Sequence, residues 1–110
     1  NPAVLPAVEL VRMATINGAR ALQLDHLIGS LEVGKRADLL VLDADSPSLT
    51  PNFDPHTTIA TCVTRADVLH VVVDGNVVVR NRKCQTIDHG SVISKVKALG
   101  KQVLASVNNN

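Results

Sequence analysis

A chain of 110 residues with 45% hydrophobic, 19% charged and 1% aromatic residues and a formal net charge of +1 makes one domain at most, with a folded surface of roughly 5,900 Å² if it closes on itself. Phe53 is the single aromatic residue and Trp and Tyr are absent, so the stacking platforms that nucleic-acid binding uses are missing, and the charges are scattered rather than gathered into a basic stripe. The longest apolar runs, Leu39 to Leu42 and Val71 to Val73, fall far short of a membrane span; no nucleic acid, no membrane and a cytoplasmic location are the expectations.

Pro6 suits the first turn of a helix, and Val8, Leu10, Val11 and Ala14 then recur at helical spacing through Met13. Thr15 is read as the N-cap of a second helix over Asn17 to Leu22, in which Gly18 permits close packing. After breaks at Gly29 and Gly34, a charged turn around Glu32 and Lys35 leads into a strand from Ala37 to Asp43. Its unalternating Leu39-Leu40-Val41-Leu42 run predicts a strand covered on both faces.

Pro47, Pro51 and Pro55 stiffen a loop from Asp45 to Pro55. Asp54-Pro55 looks like an N-cap and first-turn pair, so Pro55 to Cys62 is read as a short helix, although Thr57, Thr58, Ile59 and Thr61 favour a strand. Two β-branched runs, Val68 to Val73 and Val77 to Arg80, flank Asp74-Gly75-Asn76 and predict a hairpin with Gly75 at positive φ, paired with the 37–43 strand in one sheet. Gln85 to Ile87 could add a little more strand. Asp88 then caps a last helix whose Val92, Ile93, Val96, Leu99, Val103, Leu104 and Val107 share a face, and the 108–110 tail is polar. These apolar faces exceed what a chain of this size can cover by itself, so exposed apolar surface is expected.

No constellation for catalysis emerges. His26, His56, His70 and His89 stand apart, with no HxH or HExxH and no carboxylate at ligand spacing. His70 is read as a packed or rim residue of the hairpin and the others as surface residues. No G-x-S-x-G elbow, Walker A loop or G-x-G-x-x-G is present. Asp43 and Asp45 are read as solvated turn formers, and Lys35, Arg36 and Asp38 as exposed or locally paired charges at the start of the strand. Cys62 and Cys84 are too far apart for a CxxC motif and are expected as reduced, buried thiols. No catalytic, cofactor-binding or metal-ligating residue is assigned.

Three blocks in order carry a resemblance. Met13-Ala14-Thr15-Ile16-Asn17-Gly18-Ala19-Arg20-Ala21-Leu22, then Ile28-Gly29-Ser30-Leu31-Glu32-Val33-Gly34-Lys35-Arg36-Ala37-Asp38-Leu39, then the Val-rich hairpin, resemble the ATxNxAxxLGL, IGSLExGKxADLVVLD and VxxVxVxGxVV ending of the metal-dependent amidohydrolase superfamily. Leu49-Thr50-Pro51-Asn52-Phe53-Asp54-Pro55 is similar to the LTPxxDP loop of its cytosine deaminase-like branch, which includes 5-methylthioadenosine/S-adenosylhomocysteine deaminases and triazine chlorohydrolases. Gln23 stands where the family more often has Gly.

The resemblance implies an α/β fold that is the C-terminal fragment of a longer enzyme. Residues 1–27 would be closing helices of a TIM-like barrel, 28–87 strands of a composite β-sandwich with a Pro-rich crossover loop, and 88–110 a C-terminal helix and tail. It further implies a hydrolase of C–N bonds, a hydrolytic deaminase of a purine nucleoside derivative or related amidine, using a divalent metal, zinc by preference, and acting on a small molecule as a homo-oligomer. The metal ligands would lie outside the 110 residues, leaving this chain inactive alone. The alternative is a free-standing β-rich binding or assembly module without catalysis.

Overall fold

The computed structural model describes residues 5–108. Two short helices, α1 (Ala7–Ala14) and α2 (Ile16–Ala21), precede strand β1 (Leu39–Leu42); helix α3 (Pro55–Thr61), strands β2 (Val68–Val73), β3 (Asn76–Arg80) and β4 (Lys83–Cys84), and helix α4 (His89–Asn108) follow. The strands form one antiparallel sheet in the order β1-β2-β3-β4. The expected pairing of β1 with the hairpin is therefore present, with Leu40 opposite Val71 and Val41 opposite His70.

Local chemistry accounts for most boundaries. Asp54 caps α3 by accepting from the His56 and Thr57 amides, and Pro55 fills the first turn, where its missing N–H is no loss. This decides for helix over the β-branched preference of Thr57, Thr58 and Ile59. Asp74 and Gly75 join β2 to β3 at φ +50° and +78°, the pair of left-handed residues that matches strand twist in a two-residue hairpin. Asp88 starts α4 by accepting from the Ser91 amide at 3.1 Å.

Several expectations need correction. Thr15 precedes α2, but its hydroxyl donates back to the Val11 carbonyl at 2.7 Å and makes no cap bond. Strand β4 is Lys83–Cys84 rather than 85–87, because Asn81 and Arg82, at φ +47° and +64°, turn the chain two residues sooner. Strand β1 is not covered on both faces: Leu40 is 61% and Val41 39% exposed, since no layer among the described residues lies over them. Likewise Cys62 and Cys84 are free and exposed, not buried.

Gln23 explains the family's usual glycine. It sits at φ +59°, its amide bonds the Arg20 carbonyl at 2.9 Å and the Leu24 amide bonds the Ala19 carbonyl at 2.8 Å. That is the helix-ending arrangement whose left-handed position glycine fills without strain.

Little of the chain is inside. Among the described residues, Ala19 and Leu49 are the buried apolar ones and Asp67 the buried polar one. The total accessible surface is 8691 Å², well above the roughly 5,900 Å² of a closed chain this long. The radius of gyration is 19.6 Å, against about 13 Å for a compact domain. All twenty residues of α4 are exposed. The apolar surface foreseen from composition is thus present on β1 and α4.

Candidate functional site

The four histidines lie on separate pieces of the fold. His56 is on α3, with Nδ1 3.7 Å from Asp54 Oδ1. His70 is half-buried on β2 and its Nδ1 accepts from the Asn81 amide at 3.2 Å, the packed-rim role expected of it. His26 is in the turn region after α2, and His89 opens α4. Among the described residues no three His, Cys, Asp or Glu side chains are grouped so as to hold a metal ion. Hydrogen bonding from Thr86 lowers the Cys84 thiol below its ordinary value, but no histidine shares its short strand.

The charges around β1 make local ties. Lys35 bonds Glu32 at 2.9 Å and Ser30 at 2.7 Å; Asp38 accepts from the Asp74 amide at 2.6 Å, and Arg36 approaches Asp74 at 3.8 Å. These fasten the hairpin tip to the start of the strand. Asp43 is more than a solvated turn former, since Arg82 donates to it at 2.7 Å and to the Ala66 carbonyl at 2.8 Å.

The most enclosed polar group is Asp67, 1% exposed, which the sequence reading passed over. Its Oδ1 accepts from the hydroxyls of Ser46 and, at 2.5 Å, Ser48. Its Oδ2 accepts from the Thr64 amide at 2.7 Å and the Thr64 hydroxyl at 2.9 Å. Ser46 first, then Ser48 and the Thr64 amide, hold this carboxyl far below the usual aspartate range. Burial without a cation is tolerable because four donors replace the lost water. The cluster fastens the Pro47–Leu49 turn to the Arg65–Asp67 turn that leads into β2, so its work is architectural. The signal for it was Thr64-x-x-Asp67, the spacing of a capping box.

A groove of about 580 Å³ lies between α2 and β1, lined by Ala19, Leu22, Leu31, Leu39 and Leu40 among others, with Asp38 also in its wall. Leu22, Leu31 and Leu40 are 69%, 73% and 61% exposed. Its polar side chains are Thr15, Ser30 and Asp38, each tied into local hydrogen bonds to Val11, to Glu32 and Lys35, and to Asp74, so the groove is suited to receiving apolar side chains rather than to chemistry.

Residues 1–78 match the model of the Amidohydrolase family. The chain belongs to that family. It is similar to the 5-methylthioadenosine/S-adenosylhomocysteine deaminase of Desulforudis audaxviator, with 40% identity over 107 residues that cover 97% of this chain and 25% of the relative. Among solved structures it is similar to an adenosine deaminase from Xanthomonas campestris with bound zinc, at TM-score 0.82 and 28% identity over 92% of this chain and 23% of that one. It is also similar to a triazine hydrolase from Arthrobacter aurescens, at TM-score 0.74 and 30% identity over 86% and 21%. The suspected branch of the superfamily is thereby matched. This amidohydrolase chain spans about a quarter of the length of the curated relatives it matches. The zinc carried by the Xanthomonas neighbour finds no counterpart ligand set among the described residues, whose histidines and cysteines are dispersed as described; these residues do not fit the metal.

Proposed function

We propose that this chain is the structural C-terminal part of a hydrolytic deaminase acting on a purine nucleoside derivative, and that it is inactive by itself. The observation that carries the reading is the similarity to 5-methylthioadenosine/S-adenosylhomocysteine deaminases along almost the whole chain but over only a quarter of theirs. In this reading residues 1–27 close a barrel, 28–87 belong to a composite sandwich and 88–110 form the terminal helix. The bare leucines of the α2–β1 groove would then be covered by the remainder of the enzyme, which would also supply the substrate pocket and the metal ligands. The chain's own contribution is rigidity: Asp67 and its hydroxyl donors hold the crossover loop, and the Arg36, Asp38 and Asp74 ties hold the hairpin tip.

A chimera tests this. Residues 1–110 are substituted for the matching quarter of the Desulforudis audaxviator deaminase, and ammonia release from 5-methylthioadenosine and S-adenosylhomocysteine is measured. The expected result is activity within about tenfold of a control chimera carrying the same quarter from the Thermoanaerobacter pseudethanolicus enzyme, and none from the 110-residue chain alone. A soluble, zinc-loaded chimera that is inactive while the control works would overturn the reading, as would turnover by the isolated chain.

A further inference from the structure

Phe53 is the single aromatic residue of the chain and is 92% exposed, yet the loop that carries it is held firmly. Its neighbours are taken up one by one. Leu49 is buried; the Thr50 hydroxyl donates to the Ala44 carbonyl at 3.2 Å, and the Asn52 side-chain oxygen accepts from the Thr58 hydroxyl at 3.0 Å. Asp54 caps α3 and Pro55 fills its first turn, while the ring of Pro51 fixes its own φ. Of residues 49–55, Phe53 is the one whose side chain has neither a bond nor a backbone duty within the described residues. The LTPxxDP pattern leaves its position open, so the pattern does not account for an aromatic there.

We infer that Phe53 is an anchor by which this chain is fastened to the barrel of the deaminase, its ring entering an apolar pocket on that body. The inference rests on the deaminase reading and adds to it a named point of attachment. A covered aromatic side chain removes on the order of 150–250 Å² from water, and aromatic residues are enriched at the buried centres of interfaces. Holding the loop rigid beforehand cuts the ordering cost of docking.

The placement selects the partner. Phe53 stands directly before the cap residue of α3, and α3 packs against α1, one of the helices that close the barrel in that reading. The loop thus lies beside the elements through which this chain would meet the barrel. The similarity to the Desulforudis audaxviator deaminase covers 97% of this chain but 25% of the relative, so the rest of such an enzyme is a body large enough to bury the ring.

The test compares one substitution in two settings, the 110-residue chain and its chimera with the Desulforudis deaminase. Phe53→Ala is expected to leave the urea midpoint of the isolated chain unchanged and to lower the Tm of the chimera by about 3 °C or more. Phe53→Leu should recover part of that loss, and KM for 5-methylthioadenosine should stay within about twofold. In a Cys62→Ser/Cys84→Ser background, a cysteine replacing Phe53 should react with a maleimide at least about tenfold more slowly in the chimera than in the isolated chain, as read by peptide mass at that position. An active chimera whose Tm ignores Phe53→Ala, or whose cysteine at position 53 reacts as fast as in the isolated chain, would overturn the anchor and leave the deaminase reading standing. A KM raised tenfold at unchanged Tm would assign Phe53 to the substrate instead, and protection that vanishes on dilution would assign it to a second copy; either overturns the proposal. A soluble, zinc-loaded chimera that is inactive while the control chimera works would remove both readings together.

Discussion

Gly29 and Gly34 share one backbone conformation and differ only in their surroundings, which allows a steric cost to be isolated. Both have φ +93°. A Cβ added at Gly29 would lie 2.7 Å from Ala19 Cβ, 3.0 Å from Ile16 Cα and 3.3 Å from the Thr15 carbonyl oxygen, while one added at Gly34 would meet nothing within 4 Å. Forcing an L-residue into the left-handed region costs about 1–2 kcal/mol. Overfilling a packed site adds about 1–3 kcal/mol. The neighbours of Gly29 include backbone atoms of the first turn of α2 and its one buried residue, Ala19, so none can swing aside. Gly34→Ala should therefore lose about 1–2 kcal/mol and Gly29→Ala about 2–5 kcal/mol. Urea unfolding followed by far-ultraviolet circular dichroism measures the two. With a slope of about 1–2 kcal/mol per molar for a chain this small, the Gly29→Ala midpoint should fall below the Gly34→Ala midpoint by about 1 M. Equal midpoints would show that α2 and the turn at Gly29 are not packed as described, and the steric argument would fail.

Replacing Leu49, 4% exposed, with alanine should cost about 2–4 kcal/mol in the same assay, and Leu40→Ala, at a residue 61% exposed, less than about 1 kcal/mol. Gln23→Gly removes a left-handed side chain at φ +59° and should stabilise by about 1 kcal/mol, a rise in Tm of about 4–8 °C by calorimetry. Because the hydroxyls of Ser46 and Ser48 depress the folded-state Asp67 carboxyl from its ordinary 3.8, the charged form contributes stability that is complete above that value and drains away as pH falls below it. Urea midpoints taken between about pH 6 and pH 2.5 should thus decline more steeply for the parent chain than for Asp67→Asn; parallel profiles would contradict the burial of that charge.

What could be read in advance follows the range of the interactions concerned. The Val68 to Arg80 hairpin was legible because β-branched runs and an Asp-Gly turn encode it within thirteen consecutive residues, and α3 because Asp54-Pro55 is a complete start signal. The Asn81-Arg82 turn escaped notice since neither residue is glycine and the left-handed backbone there is held by context: Arg82 reaches Asp43, 39 residues away. Asp67 escaped for the same reason, since its burial depends on Ser46 and Ser48, 21 and 19 residues distant, folding over it. The exposure of both cysteines was misread because thiol side chains signal burial only where some other layer is available to cover them.

The sheet's connectivity also sets an order in time. Strands β2 and β3 are joined by two residues, whereas β1 reaches β2 across the 25 residues between Leu42 and Val68. Closing that longer loop costs about 2 kcal/mol more conformational entropy. Hairpins form in about 1–10 μs, so the 68–80 unit is expected to assemble first and to serve as the template onto which β1 is laid. Asp67 sits at the foot of that template, beside the amide of Asp43, which bonds its carbonyl at 2.8 Å. The same residue that gathers the serines of the crossover loop thus also fixes the chain where it leaves β1.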